Sequence, residues 1–200
     1  MSWKNADRWG HVSQALHWLV VLLIAAIAII GLTMGELPNG VQKIRLYALH
    51  KSLGLTLLAL VALRIAWRLA AGAPPPVAGT PRWQAAIASV THWALYALMF
   101  AMPITGWVLN SAAGYPLQWF GLFNLPKIVA TDPALHEQAE WLHENGFWLL
   151  LALVVVHAAA AFYHHLFLED DTLRRMLPAR RRAAVAPSSA SPAQETPDAP

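Results

Sequence analysis

Residues 143–165 read HENGFWLLLALVVVHAAAAFYHH, and the architecture can be predicted outward from them. The run is long and apolar, yet it contains His143 and His157. A helix of about 20 mostly apolar residues crosses the hydrocarbon core of a bilayer. Because an ionisable side chain is costly there, an intramembrane histidine indicates a functional site. The run therefore predicts a membrane-spanning helix that carries two functional imidazoles.

The whole chain has the composition of an integral membrane protein. Of its 200 residues, 57% are hydrophobic and 12% are charged, whereas soluble domains carry about 25% charged residues. This composition excludes intrinsic disorder outside the tail. The absence of cysteine excludes disulfides, iron–sulfur clusters and covalent c-type haem attachment. The net charge of +3 is too small and too dispersed to predict nucleic-acid binding.

Three further apolar runs precede residues 143–165, and they predict an all-α, up-and-down, integral membrane four-helix bundle. The predicted helical spans are Leu16–Met34, Leu46–Trp67, Ile87–Leu109 and a longer Ala134–Leu168. We assign the four-helix domain to residues 1–178. The tail, 179–200, is rich in Ala, Pro and Ser and is predicted to be disordered.

The distribution of Lys and Arg predicts the orientation, because cytoplasmic loops are enriched in these residues. Ten of the 14 lie on the side of the two termini and the loop between the second and third helices. The other four are Lys43, Arg45, Lys51 and Lys127. Both termini are therefore expected in the cytoplasm. The acidic cluster Glu137, Glu140 and Glu144 is expected outside.

Five histidines are expected inside the membrane, and four of them form two pairs. His143 and His157 are 14 residues apart, nearly four helical turns, so they share one face at two depths about 21 Å apart. One helix can thus supply a ligand to each of two stacked haems, since neutral imidazole binds iron well. By depth, we pair His50 with His143 near the outer side and His17 with His157 nearer the cytoplasm. His92 lies at a depth like that of His157 and is the competing ligand.

Three charged or titratable side chains are candidates for contacts around the haems. Arg64 lies deep in the second helix and is predicted to pair with a haem propionate, whereas Arg68 is interpreted as an interfacial anchor. Lys51 follows His50 and could contact a propionate or anchor the outer interface. His164 shares the face of His157 near the cytoplasmic boundary, where it could exchange a proton with a quinone or be a simple interfacial histidine.

Taken in order, the motifs resemble the bacterial cytochrome b561 family, which is described together with the nickel-hydrogenase type b cytochromes. The resemblance covers roughly residues 8–178. The matching motifs are Leu16-His17-Trp18-Leu19, His50-Lys51-Ser52-Leu53-Gly54, the helix end at Arg64 and Arg68, His92…Tyr96…Pro103-Ile104-Thr105-Gly106, Trp141-Leu142-His143-Glu144, His157…His164-His165, and residues 170–176.

The resemblance implies a bacterial inner-membrane, multi-pass bundle with two b haems on the axial ligands His17, His50, His143 and His157. It also implies electron transfer between a quinone such as ubiquinone and an outer redox partner. Some members resemble superoxide:ubiquinone oxidoreductases, so the outer donor or acceptor is expected to be superoxide or a redox protein. The four outer cations could steer superoxide, but the outer acidic cluster opposes this.

Two other functions are compatible with the sequence. The first is a haem-bearing membrane-anchor cytochrome b subunit of a dehydrogenase or hydrogenase, which would need a large partner. The second is a metal-ion transporter, in which stacked histidines form an ion path. The mid-membrane parts of the spans lack the Asp and Glu that such a path usually includes, which counts against transport.

Overall fold

The computed structural model of the chain describes residues 5–178, and it is almost entirely helical. The long helices are α1 (His11–Met34), α2 (Val41–Ala71), α3 (Arg82–Ala112) and α4 (Pro133–Leu166). A 3₁₀ turn at Arg174–Met176 follows them. All four helices are long and apolar enough to cross a membrane. The predicted four-helix membrane architecture is confirmed, whereas the predicted disordered tail lies outside the described residues.

The first three helices extend well beyond the apolar runs that predicted them. For example, α2 begins at Val41 rather than Leu46. Hydropathy marks the part of a helix that crosses the bilayer, whereas the helical hydrogen bonds continue into the aqueous boundary. The start of α4 is set locally, because the side chain of Asp132 accepts hydrogen bonds from the backbone N–H groups of Ala134 and Leu135 at 2.9 and 3.2 Å.

The loop between α3 and α4 contains a β-hairpin that was not predicted from the sequence. Its strands are β1 (Leu117–Trp119) and β2 (Phe123–Leu125), which pair antiparallel. The hairpin is attached to α2 by two hydrogen bonds. Phe120 N donates to Ser52 Oγ at 3.0 Å, and Trp119 Nε1 donates to Thr56 Oγ1 at 3.1 Å. We call this end of the bundle the hairpin end.

The opposite end of the bundle is closed by segments from both ends of the chain. Arg8 Nη2 donates a hydrogen bond to Leu177 O at 2.5 Å. Asn5 Nδ2 donates to Gly72 O, in the α2–α3 linker, at 2.7 Å. The two ends of the described chain therefore meet at one end of the bundle, which we call the terminal end. That this end faces the cytoplasm remains a prediction.

The buried core is a small central cluster, as expected for helices that face lipid. It consists of Val20, Leu57, Val61, Leu95, Tyr96, Met99, Met102 and Leu150. In sequence order, each helix packs against the next. Helices α3 and α4 approach closely at Gly146, where a Cβ atom would lie 2.8 Å from Met102 Sδ. Within the described residues, α1 and α4 make hardly any direct contact, so a gap separates them.

Candidate haem-binding sites

His50 of α2 and His143 of α4 face each other near the hairpin end. Their ring centroids are 6.2 Å apart and their ring planes are inclined by 74°. Both side chains are half-buried. The structure thus brings together the two histidines that the sequence paired near the outer side.

His17 of α1 and His157 of α4 form a second pair, nearer the terminal end. Their ring centroids are 6.3 Å apart and their ring planes are inclined by 76°. His92 of α3 lies closer to His157, with ring centroids 5.1 Å apart. All three rings of this group are half-buried.

The spacing of the rings tests whether an iron ion fits between them. A metal–imidazole bond is about 2 Å long and the ring centroid lies about 1 Å behind the bonding nitrogen, so two imidazoles on opposite sides of one ion have centroids about 6 Å apart. The distances of 6.2 and 6.3 Å in the two pairs fit this geometry. The distance of 5.1 Å between His92 and His157 is too short. The pairs therefore fit haem iron, and His92 lies beside the second pair.

Each ring of the hairpin-end pair rests on a glycine of the neighbouring helix. A Cβ atom at Gly31 would lie 3.0 Å from His50 Cε1, and one at Gly106 would lie 3.1 Å from His143 Cε1. Side-chain atoms rarely approach so closely. The two glycines therefore let the rings sit back against α1 and α3, which keeps the space between the rings open.

This space belongs to a cavity of about 540 Å³ that opens between α1 and α4. Cofactor pockets commonly measure about 300–1,000 Å³. The lining is mostly apolar and includes Ile24, Ile27, Leu57, Phe147, Leu150 and Val154. Glu36, Glu140 and Glu144 line the cavity where it is exposed. An apolar slot with two facing imidazoles suits a flat macrocycle with a central iron.

The two rings of the hairpin-end pair differ in their hydrogen bonds. His143 Nδ1 lies 3.0 Å from Thr105 Oγ1. His50 Nδ1 is buried and has no hydrogen-bond partner among the described residues. The hydroxyl contact at Nδ1 therefore distinguishes His143 from His50 among the described residues.

Two arginines lie beside the terminal-end pair. Arg64 is close enough to His17 and His157 to interact with them electrostatically, and its Nη1 donates to Ser13 O at 3.0 Å. The guanidinium of Arg68 lies 5.5 Å from the centre of the Trp93 ring. Within the described part of the chain, neither arginine has a carboxylate within salt-bridge distance. A half-buried guanidinium in this setting favours an anion such as a carboxylate of the cofactor.

Lys51 lies against α3 and not in the cavity. Its Nζ donates to Asn110 Oδ1 at 2.6 Å and lies 5.9 Å from the centre of the Tyr115 ring. The cavity lining does not include Lys51. Its contact with a haem propionate therefore stays a prediction, which the position of the side chain does not support.

His164, in the last turn of α4, contacts a carboxylate that was not singled out from the sequence. Its Nδ1 lies 2.5 Å from Asp170 Oδ2, and Thr172 N donates to Asp170 Oδ1 at 2.8 Å. Burial alone would raise the pKa of Asp170, but the hydrogen bonds from His164 and Thr172 hold this pKa below its usual range. An ionised carboxylate only accepts hydrogen bonds, so the His164 Nδ1 carries a proton.

Within residues 5–178, no three His, Cys, Asp or Glu side chains come together as a site for a metal ion held by protein ligands alone.

Comparisons with known proteins place the chain in a family. The sequence profile of the family described as prokaryotic cytochrome b561 matches residues 8–179. Cytochrome b561 homolog 2 of Escherichia coli (strain K12) is 34% identical over 157 residues, which cover 77% of this chain and 81% of that protein. Cytochrome b561 homolog 1 of the same strain is 28% identical over 151 residues, covering 73% and 85%. Probable superoxide oxidase CybB of Yersinia pestis is 35% identical over 108 residues, covering 54% and 60%.

Proposed function

Because the chain belongs to the prokaryotic cytochrome b561 family, we propose that it conducts electrons across the bacterial inner membrane through two b haems. Membership makes it a multi-pass inner-membrane protein of electron transfer that uses haem b. The proposal adds the number of haems and the two partners. These are a membrane quinone at the terminal end and a redox partner at the hairpin end.

The observation that carries the proposal is the equal spacing of two histidine pairs at two depths of one bundle. The ring centroids are 6.2 Å apart in one pair and 6.3 Å apart in the other. Both pairs take one member from α4, where His143 and His157 are 14 residues apart, or about 21 Å along the helix axis. Two haems at this separation would lie in opposite leaflets of the membrane.

When bound, haem b would supply reversible one-electron chemistry. His17, His50, His143 and His157 would hold the two haems. The apolar wall of the hairpin-end cavity would exclude water from the haem there. Arg64 would supply a positive charge for a propionate of the terminal-end haem. Two histidine ligands for each haem would favour electron transfer over oxygen binding.

The quinone is proposed to bind near His164 at the terminal end. Asp170 accepts from Nδ1 of this histidine, which leaves Nε2 as the atom that can exchange a proton with a quinone oxygen. Reduction of a quinone to a quinol takes two electrons and two protons. His164 and Asp170 are therefore placed to pass protons from the aqueous side of the terminal end.

The partner at the hairpin end is proposed to be superoxide or a redox protein. Superoxide is suggested by the relative named probable superoxide oxidase. Four cations lie towards this end and would attract an anion. They are Lys43, Arg45, Lys51 and Lys127. Glu36, Glu140 and Glu144 line the exposed part of the cavity and would repel it. The charges at this end therefore favour neither superoxide nor a redox protein, and the experiment below distinguishes the two.

Purified protein in liposomes that contain ubiquinone would test the function. Superoxide, and in a separate sample a reduced redox protein, would be added while haem reduction and quinol formation are recorded. We expect quinol to form from one of these donors without any other subunit. His157→Ala, which should lack the terminal-end haem, is the negative control. Haem-loaded protein that exchanges electrons with neither donor nor quinone would indicate the membrane-anchor alternative.

A further inference from the structure

The hydroxyl of Thr105 lies between two groups that can form hydrogen bonds with it. Its Oγ1 is 2.8 Å from Met102 O, in the preceding turn of α3, and 3.0 Å from His143 Nδ1, on α4. A carbonyl oxygen only accepts, so the single hydroxyl hydrogen is donated to Met102. The hydroxyl oxygen is then an acceptor, and His143 Nδ1 must carry the hydrogen that it receives.

This arrangement fixes which nitrogen of His143 is free. A neutral imidazole with its hydrogen on Nδ1 has an unprotonated Nε2, which is the atom available to a metal. Gly106, the next residue of α3, supports the same ring, since a Cβ atom there would lie 3.1 Å from His143 Cε1. Two successive residues of α3 therefore determine the tautomer and the position of a ring on α4.

The opposite ring of the pair lacks such a contact. His50 Nδ1 is buried and has no hydrogen-bond partner among the described residues. On α1, its Cε1 atom packs against Gly31, and the backbone of Ile27, one turn earlier, also lies near the ring. Among the described residues, His143 is thus the member of the pair with a hydroxyl group at hydrogen-bond distance from its Nδ1 atom.

We propose that Thr105 is a positioning residue that presents His143 Nε2 to the hairpin-end haem and lowers the reduction potential of this haem. The proposal rests on the proposed function, in which His50 and His143 are its axial ligands. A hydrogen bond accepted from Nδ1–H makes the imidazole more basic, and a more basic ligand stabilises ferric iron over ferrous iron. Loss of the hydroxyl therefore raises the potential.

Thr105→Val and Thr105→Ser are the test pair. Valine keeps the shape of threonine without the hydroxyl, and serine keeps the hydroxyl without the methyl group. A potentiometric titration of the purified protein, followed by haem absorbance, gives the midpoint potential of each haem. In Thr105→Val, we expect the reduction equilibrium constant of one haem to shift three- to tenfold towards the reduced state. A tenfold shift corresponds to a rise of about 59 mV in the midpoint potential for one electron. The second haem and the Thr105→Ser variant should stay near the wild-type values.

Each result has a defined meaning. Loss of one haem in Thr105→Val, with both retained in Thr105→Ser, would also support the proposal, because the hydroxyl would then be needed to hold the ligand. Wild-type potentials in Thr105→Val, or equal effects of both variants, would overturn it. A failure of the proposed function would be recognised by other results. Wild-type protein that does not bind two haems, or a His143→Ala variant that keeps both haems, would contradict the assignment of His143 as a haem ligand.

Discussion

The imidazole of His143 rests on the backbone of Gly106, where an added Cβ atom would lie 3.1 Å from its Cε1 atom. His50 rests on Gly31 in the same way, at 3.0 Å. The first contact joins α4 to α3, and the second joins α2 to α1. In each of the helix pairs α3–α4 and α1–α2, a glycine thus lets one histidine ring lie back from the gap between α1 and α4. The two ring centroids are left 6.2 Å apart.

Gly106→Ala is expected to lower the occupancy of the hairpin-end haem severalfold. The new methyl group pushes the His143 ring towards His50 and narrows the gap between them. The haem-to-protein ratio should fall towards one, while the terminal-end haem is retained. Gly40→Ala is the control, because nothing lies within 4 Å of a Cβ atom at that position. An unchanged ratio and an unchanged spectrum in Gly106→Ala would contradict the role of this contact.

His143→Ala and His157→Ala should each lose one haem equivalent, since each would remove one proposed axial ligand from a different pair. The haem-to-protein ratio of the purified variants measures this directly. His11→Ala is the matched control, because His11 is exposed in the first turn of α1 and belongs to neither pair. If both variants keep two haems, the pairing is wrong.

His92→Ala should keep both haems. His92 lies 5.1 Å from His157 between ring centroids, which is too close for an iron ion between them. The expected ratio is about two haems per chain, with a changed optical or paramagnetic signal for the terminal-end haem. Loss of one haem would move His92 into the ligand set in place of His17.

The four spans and the two histidine pairs could be predicted from the sequence because their signals are local. Apolar runs show where helices cross the bilayer, and the 14-residue spacing of His143 and His157 gives a shared helix face. The depth of each histidine then follows from the alternating direction of the helices. These inferences need no knowledge of how one helix is rotated against another.

The contacts that support the site could not be predicted in this way. Gly31, Gly106 and Thr105 act through rings on neighbouring helices, so their roles depend on helix rotation and register. Lys51 shows the same limit, because a helix turns about 100° per residue. Although Lys51 follows His50 in sequence, it contacts Asn110 and not the cavity.

Arg64→Gln should lower the midpoint potential of the terminal-end haem. Reduction adds an electron, and a nearby positive charge stabilises the reduced state. At an effective dielectric constant of about 20, a unit charge in the neighbourhood of the haem contributes on the order of 1 to 2 kcal/mol, which corresponds to a shift of tens of millivolts. Redox titration of the variant measures this, with the exposed Arg82→Gln as the control. An unchanged potential would place Arg64 too far from this haem to act on it.

Asp170→Asn should slow quinol formation severalfold at neutral pH and leave the haem content unchanged. The carboxylate that fixes the proton on His164 Nδ1 is replaced by a weaker acceptor. Turnover with ubiquinone in liposomes is the measurement. The control is Asp171→Asn, since the side chain of Asp171 is 63% exposed and contacts Arg174. Equal turnover in the two variants would exclude a role for the His164–Asp170 contact in proton transfer.

The same contact predicts a dependence of stability on pH. The folded structure lowers the pKa of Asp170 from its ordinary value of 3.8. The contact therefore stabilises the protein above about pH 4, and its contribution is lost as the pH falls through the lowered pKa. Thermal unfolding of wild type and Asp170→Asn should differ at pH 7 and converge only in strong acid. Convergence already at pH 6 would contradict the lowered pKa.

The central claim is that two b haems are held by two histidine pairs, and a reduced-minus-oxidised optical spectrum with a haem-to-protein ratio tests it most directly. Purified wild-type protein should show sharp low-spin b-type bands and about two haems per chain, because the proposal assigns a histidine to each of the four axial positions. A ratio near one, or a high-spin spectrum, would contradict the two matched sites. Well-folded protein from haem-replete cells that contains no haem would contradict the account as a whole.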